Sequence, residues 1–491
     1  MVFPLVDGER STLSTGRHVI AAATRRVDTA IHEAARDETN WRSKYVQHFR
    51  ELTRLSAGQH APLIAADGLN SVHNEFRYLR HGAELSLADA LSVPRAHYVR
   101  TWTIQGNGVQ PAVTDLSVPY RGQRLTGDAL RRTLDAWQAQ GIAEPSFSDA
   151  LRTLMDNPDW LQLRDTTFVV MGAGSEMGPL RSLLSWGAHV VAVDLPDPEL
   201  WQRVLAIARQ SPGKLTLPIR GAPSTHSTDA QLASLAGVDI LTQTPEVCAW
   251  LEQLPGPYVL GDYVYAPGSL HVRTSVAIDA IIKRLLATRS DVSLAYLATP
   301  TDAYAVPSSI VEYSQRQHKE SRALVISARG LTGGRMYRPN YTTTETTSSG
   351  LRYGIADALV PQQGPNYALA KRVQRWRADL VRGHGVFVSI NVAPATRTKS
   401  VIRNRLLAAA YAGAHRFGLE IFNPATSSTL MAALLAHDVA NPASVAHADT
   451  PLDDPYELLV QEALHGGMWR APYAPRSVLG LAVAMGMFQR N

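Results

Sequence analysis

Beyond residue 166, short apolar runs alternate with stretches whose apolar positions recur every three or four residues. The runs at 168–171, 188–194, 215–219, 238–242, 292–298, 323–327 and 385–392 predict buried strands. Between them, 177–184, 200–209, 229–235, 272–287, 307–320 and 367–380 carry helical spacing. Apolar strands alternating with helices predict a parallel sheet covered on both faces. The stretch 331–365 breaks the rhythm with Gly, Tyr and a Thr/Ser tract, so an insertion is expected near 300–365.

Residues 1–160 lack this alternation. Helical spacing dominates 18–55 and 125–139, and 98–113 reads as a strand, a Gly106-Asn107-Gly108 turn and a second strand. The expected architecture is therefore α/β: a Rossmann-type doubly wound parallel sheet over 161–445, preceded by a mixed, mostly helical domain over 1–160. Residues 446–491 read as a C-terminal extension that packs on the sheet domain.

Composition narrows the function classes. The 491 residues are 45% hydrophobic and 19% charged, and 48 basic against 43 acidic residues leave a formal net charge of +5. The basic residues are scattered, with pairs such as Arg25-Arg26 and Arg131-Arg132, which predicts a solvated surface and no nucleic-acid partner. The single cysteine, Cys248, excludes an internal disulfide and a cysteine-rich zinc site. Sixteen histidines form no His-Glu-x-x-His or other close ligand pair, so no metal site is expected. No Gly-x-Ser-x-Gly elbow supports a hydrolase. The start, MVFPLVDGERST, has no signal-peptide pattern, and no run approaches the ~18 apolar residues of a membrane span. A cytoplasmic location without a membrane partner is the expectation.

The candidate chemistry begins at Met171-Gly-Ala-Gly-Ser-Glu-Met-Gly178, between the first of these strands and its helix. Gly172 permits a tight turn, and Gly174 lets the backbone approach a pyrophosphate. A helix starting near Met177 would aim free N–H groups at the phosphates. Asp194 ends the next strand, where a carboxylate can accept both hydroxyls of an adenosine ribose and repel a 2′-phosphate. NAD is the expected cofactor, with NADP disfavoured. Further on, Tyr367 and Lys371 share one helix face. A phenol ordinarily ionises near pH ~10, so it exchanges protons poorly at neutral pH unless a neighbouring cation stabilises its phenolate, and Lys371 is positioned to do so. Asp262, Tyr263 and Tyr265 precede a helix on the ligand side of such a sheet, as pocket lining or as packing.

In this succession the chain resembles the short-chain dehydrogenase/reductase superfamily: a strand, glycine loop and helix, then Tyr367-x-x-x-Lys371, then Val386-Phe-Val-Ser-Ile-Asn-Val-Ala-Pro-Ala-Thr-Arg-Thr398, over roughly 165–445. The resemblance implies catalysis by Tyr367 and Lys371. It implies cofactor contacts from Gly172, Gly174, Ser175, Glu176, Met177, Gly178, Asp194, Thr242, Lys371, Pro394 and Thr398, and a small-molecule substrate that is a carbonyl, an alcohol or an activated double bond. Homo-oligomer formation stays open. Departures stand beside it: Met171 replaces the usual Thr, Glu176 the middle Gly, and Thr242-Gln-Thr-Pro245 the Asn-Asn-Ala-Gly after the fourth strand. Ala395 follows Pro394 where Gly is usual, and the hydroxyl that should precede the Tyr has two strand-end candidates, Thr299 and Ser327. Two other readings use the same residues, a Rossmann-type S-adenosylmethionine-dependent methyltransferase and a non-catalytic relative that serves as a binding or scaffold protein.

Overall fold

Along Thr167–Met171, Phe168 and Val170 face one core while Val169 and Met171 face another. The next strand repeats the pattern, with Val190 and Ala192 opposed to Val191 and Val193. Strands apolar on both sides must be covered on both sides, and they are. The structure, a computed structural model, describes residues 1–5, 8–92, 99–109, 115–224, 226–321, 325 and 329–488.

Its central sheet has seven strands: β1 (Arg100–Gln105), β2 (Thr167–Met171), β3 (His189–Val193), β4 (Lys214–Ile219), β5 (Tyr258–Asp262), β6 (Val292–Ala298) and β7 (Val388–Val392). Their order is β7-β6-β5-β2-β3-β4-β1. Strands β2 to β7 run parallel, and β1 pairs antiparallel with β4 at the edge. The order reverses between β2 and β5, which makes the arrangement a doubly wound, Rossmann-type sheet with a topological switch point there. One face is covered by Leu180–Ser185, Pro198–Gln210, Asp229–Leu235 and Pro424–Ala440. On the other lie Thr244–Glu252, Ser269–Thr288 and Pro365–Arg382, backed by the N-terminal helices. No described helix is long and apolar enough to cross a membrane.

The helical stretch at 18–55 resolves into three helices, Thr12–Thr24, Thr29–Arg36 and Trp41–Leu55. Asp28 caps the second by accepting the Ile31 amide at 3.0 Å, which interrupts what spacing alone joins. These helices, with Ala61–Glu75, share a hydrophobic core with one sheet face, and β1 from the same segment lies in the sheet itself. The C-terminal residues are equally integral. Trp469 is fully buried, and Glu144 accepts from His465 at 2.9 Å and from Arg470 at 2.6 and 2.8 Å.

Three expectations need correcting. The run 238–242 is not a strand: the Asp239 carboxylate accepts the Leu241 amide at 2.9 Å and closes a turn. The fourth parallel strand is Tyr258–Asp262 instead. The basic residues are not all a solvated surface, since Arg372, Arg375 and Arg377 are 2%, 7% and 6% exposed. The irregular stretch contains strands Glu345–Thr346 and Arg352–Asp357, which join Ala303–Pro307 in a three-stranded antiparallel sheet. The expected strand 323–327 and the second strand of 98–113 fall mostly outside the described residues.

The Ala61–Glu75 helix packs on Pro365–Arg382 through Gly68, where a Cβ would overlap the buried Trp376 ring. Gly68→Ala should lower stability by ~1–3 kcal/mol, the usual result of overpacking a filled core. The urea midpoint, at unchanged m-value, measures it; an unshifted midpoint would show that this contact does not hold the layer.

Candidate functional site

The glycine loop leaves β2 at the switch point. Gly172 has φ +84°, and a Cβ there would sit 3.0 Å from backbone atoms of Tyr263 and Val264, which follow β5. Glycine is needed for both reasons. At Gly174 a Cβ would meet Leu200 Cδ1 at 2.6 Å. The loop spends most of its amides internally. Gly172 and Ala173 donate to the Val193 carbonyl, Ser175 to that of Gly172, and Gly178 to that of Ser175. Gly174 donates to Asp194 Oδ2 at 2.7 Å. Among the described residues, the amides of Glu176 and Met177 are the loop's two without such an acceptor. The helix begins at Leu180, not Met177, because Pro179 fits only at a helix start. It runs for 6 residues, to Ser185.

Asp194 directly follows β3. Its carboxylate accepts the Gly174 amide at 2.7 Å and the Leu195 amide at 2.8 Å. Burial pushes its pKa up, and the two amides pull against that. Glu176 reaches across to the Lys399 amide at 2.8 Å, and Ser428 Oγ donates to the Gly178 carbonyl at 2.8 Å. The segment after β7 therefore lies against the loop. Within it, Pro394 is buried with its carbonyl accepting from Thr396 Oγ1 at 2.8 Å, and Thr398 pairs with the Ser400 hydroxyl at 2.9 Å. Thr242 is elsewhere, exposed in the Asp239 turn ahead of β5. The strand-end place it was expected to hold belongs to Asp262 and Tyr263.

Tyr367 and Lys371 occupy the first two turns of Pro365–Arg382, the helix that connects β6 to β7. The Tyr367 phenol lies near the side chain of Thr299, the residue just after β6, whose hydroxyl pairs with that of Thr301 at 2.9 Å. Ser327, the other hydroxyl considered, lies outside the described residues. The His271 ring stacks on Tyr367, 5.4 Å between centroids and 17° between planes, and Tyr265 leans against both.

No family model, curated protein or solved structure matches this chain. The site must be read from its own chemistry.

Lys371 does not turn its ammonium into a counter-charge for the phenol. It donates to the Leu297 carbonyl at 3.0 Å and to Gln374 Oε1 at 2.9 Å. The Tyr367 pKa is accordingly raised by burial, opposed only by Thr299, rather than lowered as the spacing suggested. Burial lowers the Lys371 pKa, while Asp262 and Asp302 support its charge. Asp262 accepts Gln374 Nε2 at 2.8 Å, and burial pushes it up to about 6 against the pull of Gln374 and Lys371.

His271 is the residue that sequence reasoning missed. Its Nδ1 accepts the Ala266 amide at 3.4 Å, and burial with the nearby Lys371 charge pushes its pKa down to about 3. The ring is therefore neutral with its proton on Nε2, and that buried Nε2–H has no partner. The available signal was its place in the first turn of the helix after β5. Beyond Tyr367, a cavity of 290 Å³ is lined by Tyr120, Arg121, Arg397, Tyr411, Glu420 and Asn423. Tyr411 from that lining is close enough to add to the upward shift of Tyr367.

The Asp262 shift gives a signed prediction. Its folded pKa lies above the 3.8 of the unfolded chain, so its favourable contribution is complete below pH ~4 and is lost as pH rises through about 6. Asp262→Asn should raise stability by ~2–3 kcal/mol at pH 7 and by almost nothing at pH 4. Thermal unfolding at the two pH values checks this, and an equal gain at both would contradict it.

Proposed function

We propose that this chain is an NAD-dependent oxidoreductase of the short-chain dehydrogenase/reductase type, acting on a carbonyl, an alcohol or an activated double bond. One observation carries the reading: a phenol on the helix between the fifth and sixth parallel strands lies near a hydroxyl just past the end of the fifth, with a lysine one turn on. The fit to a dinucleotide differs between its two ends. At the nicotinamide end, the orphaned Nε2–H of His271 and the orphaned Gln363 Oε1 ask for ligand partners. At the phosphate end, the amides of Glu176 and Met177 remain available, within the loop from Gly172 through Gly174 and Ser175 to Gly178. Asp194 keeps acceptor capacity for a ribose hydroxyl and repels a 2′-phosphate, which favours NAD over NADP. Pro394 and Thr398 would meet the cofactor from the segment beside the glycine loop, and Lys371 from the Tyr367 helix.

The bound cofactor would supply the carbon that gives or takes hydride. The protein's part is proton transfer and orientation. With its pKa raised, Tyr367 stays protonated at neutral pH and is poised to give its proton to a substrate oxygen as a carbonyl is reduced. The Thr299 hydroxyl lies beside the phenol, and the rings of His271 and Tyr265 pack against that of Tyr367. A second reading, a non-catalytic relative that keeps the fold as a binding module, is favoured by the glycine-loop amides already used within the protein.

Titrating the purified chain with NADH should give enhanced, blue-shifted nicotinamide fluorescence. Failure to bind NADH or NADPH would remove the proposal, and calorimetric binding of S-adenosylmethionine alone would replace it with methyl transfer. In a screen of carbonyl compounds, Tyr367→Phe should lower kcat by roughly 10²–10⁴ and leave NADH binding unchanged. Asp194→Ala should weaken NADH by ~1–3 kcal/mol and narrow the gap to NADPH.

A further inference from the structure

Under the opposite face of β7, His437, Asp438 and Glu462 converge, all buried, with one ligand atom of each within 4.8 Å of the others. His437 and Asp438 lie in the last turns of Pro424–Ala440, and Glu462 lies in the C-terminal segment. His437 Nδ1 is 3.4 Å from Glu462 Oε1 and 3.7 Å from Asp438 Oδ1. These separations are too long for good hydrogen bonds. Nδ1 and Glu462 Oε2 are both buried without a hydrogen-bond partner.

Charge sharpens the point. Among the described residues, the basic group that Asp438 and Glu462 approach is His437 alone, which is a counter-charge only when its ring is doubly protonated. Two buried carboxylates side by side need a counter-charge or a proton. Asp438 is further prepared by its surroundings: it accepts from Ser389 at 2.6 Å, Asn391 at 3.0 Å and Ser444 at 2.6 Å. Carboxylates held this way by outer hydrogen bonds are usual at metal sites.

We propose that His437 Nδ1, Asp438 and Glu462 form a binding site for one divalent transition-metal cation, Zn²⁺ being the best fit. Zinc bonds to imidazole nitrogen and carboxylate oxygen run about 2.0–2.2 Å, so tetrahedral ligands stand about 3.3–3.6 Å apart. The observed 3.4 and 3.7 Å match that spacing with little movement. One imidazole with two carboxylates also disfavours Mg²⁺ and Ca²⁺, which take oxygen ligands in larger number.

The arrangement makes a specific demand on Asn441. Its Nδ2 donates to His437 Nε2 at 2.9 Å, and its Oδ1 accepts the Ala443 amide at 3.1 Å. The imidazole proton accordingly sits on Nδ1. Metal ligation through Nδ1 moves that proton to Nε2, so the residue at 441 must then present an oxygen to it. Asn441→Asp supplies that oxygen while keeping the bond to Ala443.

The test uses the full chain, stripped with a chelator and titrated with Zn²⁺ in competition with a chromophoric chelator. One equivalent should bind, and Co²⁺ should give the visible bands of a tetrahedral site. Glu462→Gln and Asp438→Asn should each weaken binding 10–100-fold, while Asn441→Asp should strengthen it several-fold. Circular dichroism of each stripped variant separates loss of the site from loss of the fold; should either not fold, His437→Gln, which removes the nitrogen ligand without a buried charge, takes its place. Absence of stoichiometric binding would overturn the site, as would binding equally tight in a folded Glu462→Gln. None of these outcomes depends on NAD binding.

Discussion

Arg372 and Arg375 pair with Asp302 at 3.5 and 2.9 Å, and Arg377 takes both oxygens of Asp279 at 2.7 and 2.8 Å. All of these side chains are buried. Removing one partner of such a pair typically costs ~3–5 kcal/mol, because the other is left charged and unpaired. That is a large part of the ~5–15 kcal/mol by which a domain is stable. The pairs also decide the architecture. Asp302 opens the inserted sheet, and Asp279 lies mid-way along Ser269–Thr288 and also accepts from His73 of the Ala61–Glu75 helix at 2.6 Å. Pro365–Arg382 is thus fastened to the insertion, to its neighbouring crossover helix and to the N-terminal layer. A helix surrounded on all sides is normally apolar all round. This one is arginine-rich, and its neighbours supply the carboxylates.

The candidate site inherits its rigidity from that fastening. Tyr367 and Lys371 stand at the start of the same helix, where Thr299 and Asp262 approach from two strand ends and His271 from the first turn of Ser269–Thr288. Each charge is moderated by burial: Asp262 is raised, Lys371 lowered, and His271 kept neutral. A low-dielectric pocket with a neutral imidazole beside a lysine whose charge is opposed by burial can hold a phenol protonated while the lysine remains available to a polar ligand group.

Much of this was legible in the sequence. The strands at 168–171, 188–194, 215–219 and 292–298 were found because their β-branched runs are bounded by turns, and β6 matches to the residue. The Tyr367 helix and its place before the last strand were legible from spacing. What was hidden has physical causes. Val238-Asp-Ile-Leu-Thr242 has strand composition, but one aspartate side chain diverts the backbone into a turn. Tyr258–Asp262 is only 5 residues long and ends in an acid, so it carries little periodicity. The arginines of Pro365–Arg382 read as solvent-facing because their partners lie 70 to 98 residues away. His271 was invisible for the same reason, since its meaning comes from stacking on a ring nearly a hundred positions on.

Strand β7 joins the two faces. Its period of two sends Val388, Ile390 and Val392 into the core beneath the Tyr367 helix, and Ser389 and Asn391 toward Asp438 on the other side. A slip of one residue against β6, whose Leu294 pairs with Val388 and Ala298 with Val392, would exchange the two sets. It would bury a serine and an asparagine among apolar side chains and leave the Asp438 carboxylate without its donors. Each misplaced polar group carries a penalty of ~1–3 kcal/mol, so the penalties from both faces add and point the same way. The polar cluster under Pro424–Ala440 therefore holds β7 in register, and that register in turn sets the end of the strand from which the segment beside the glycine loop departs.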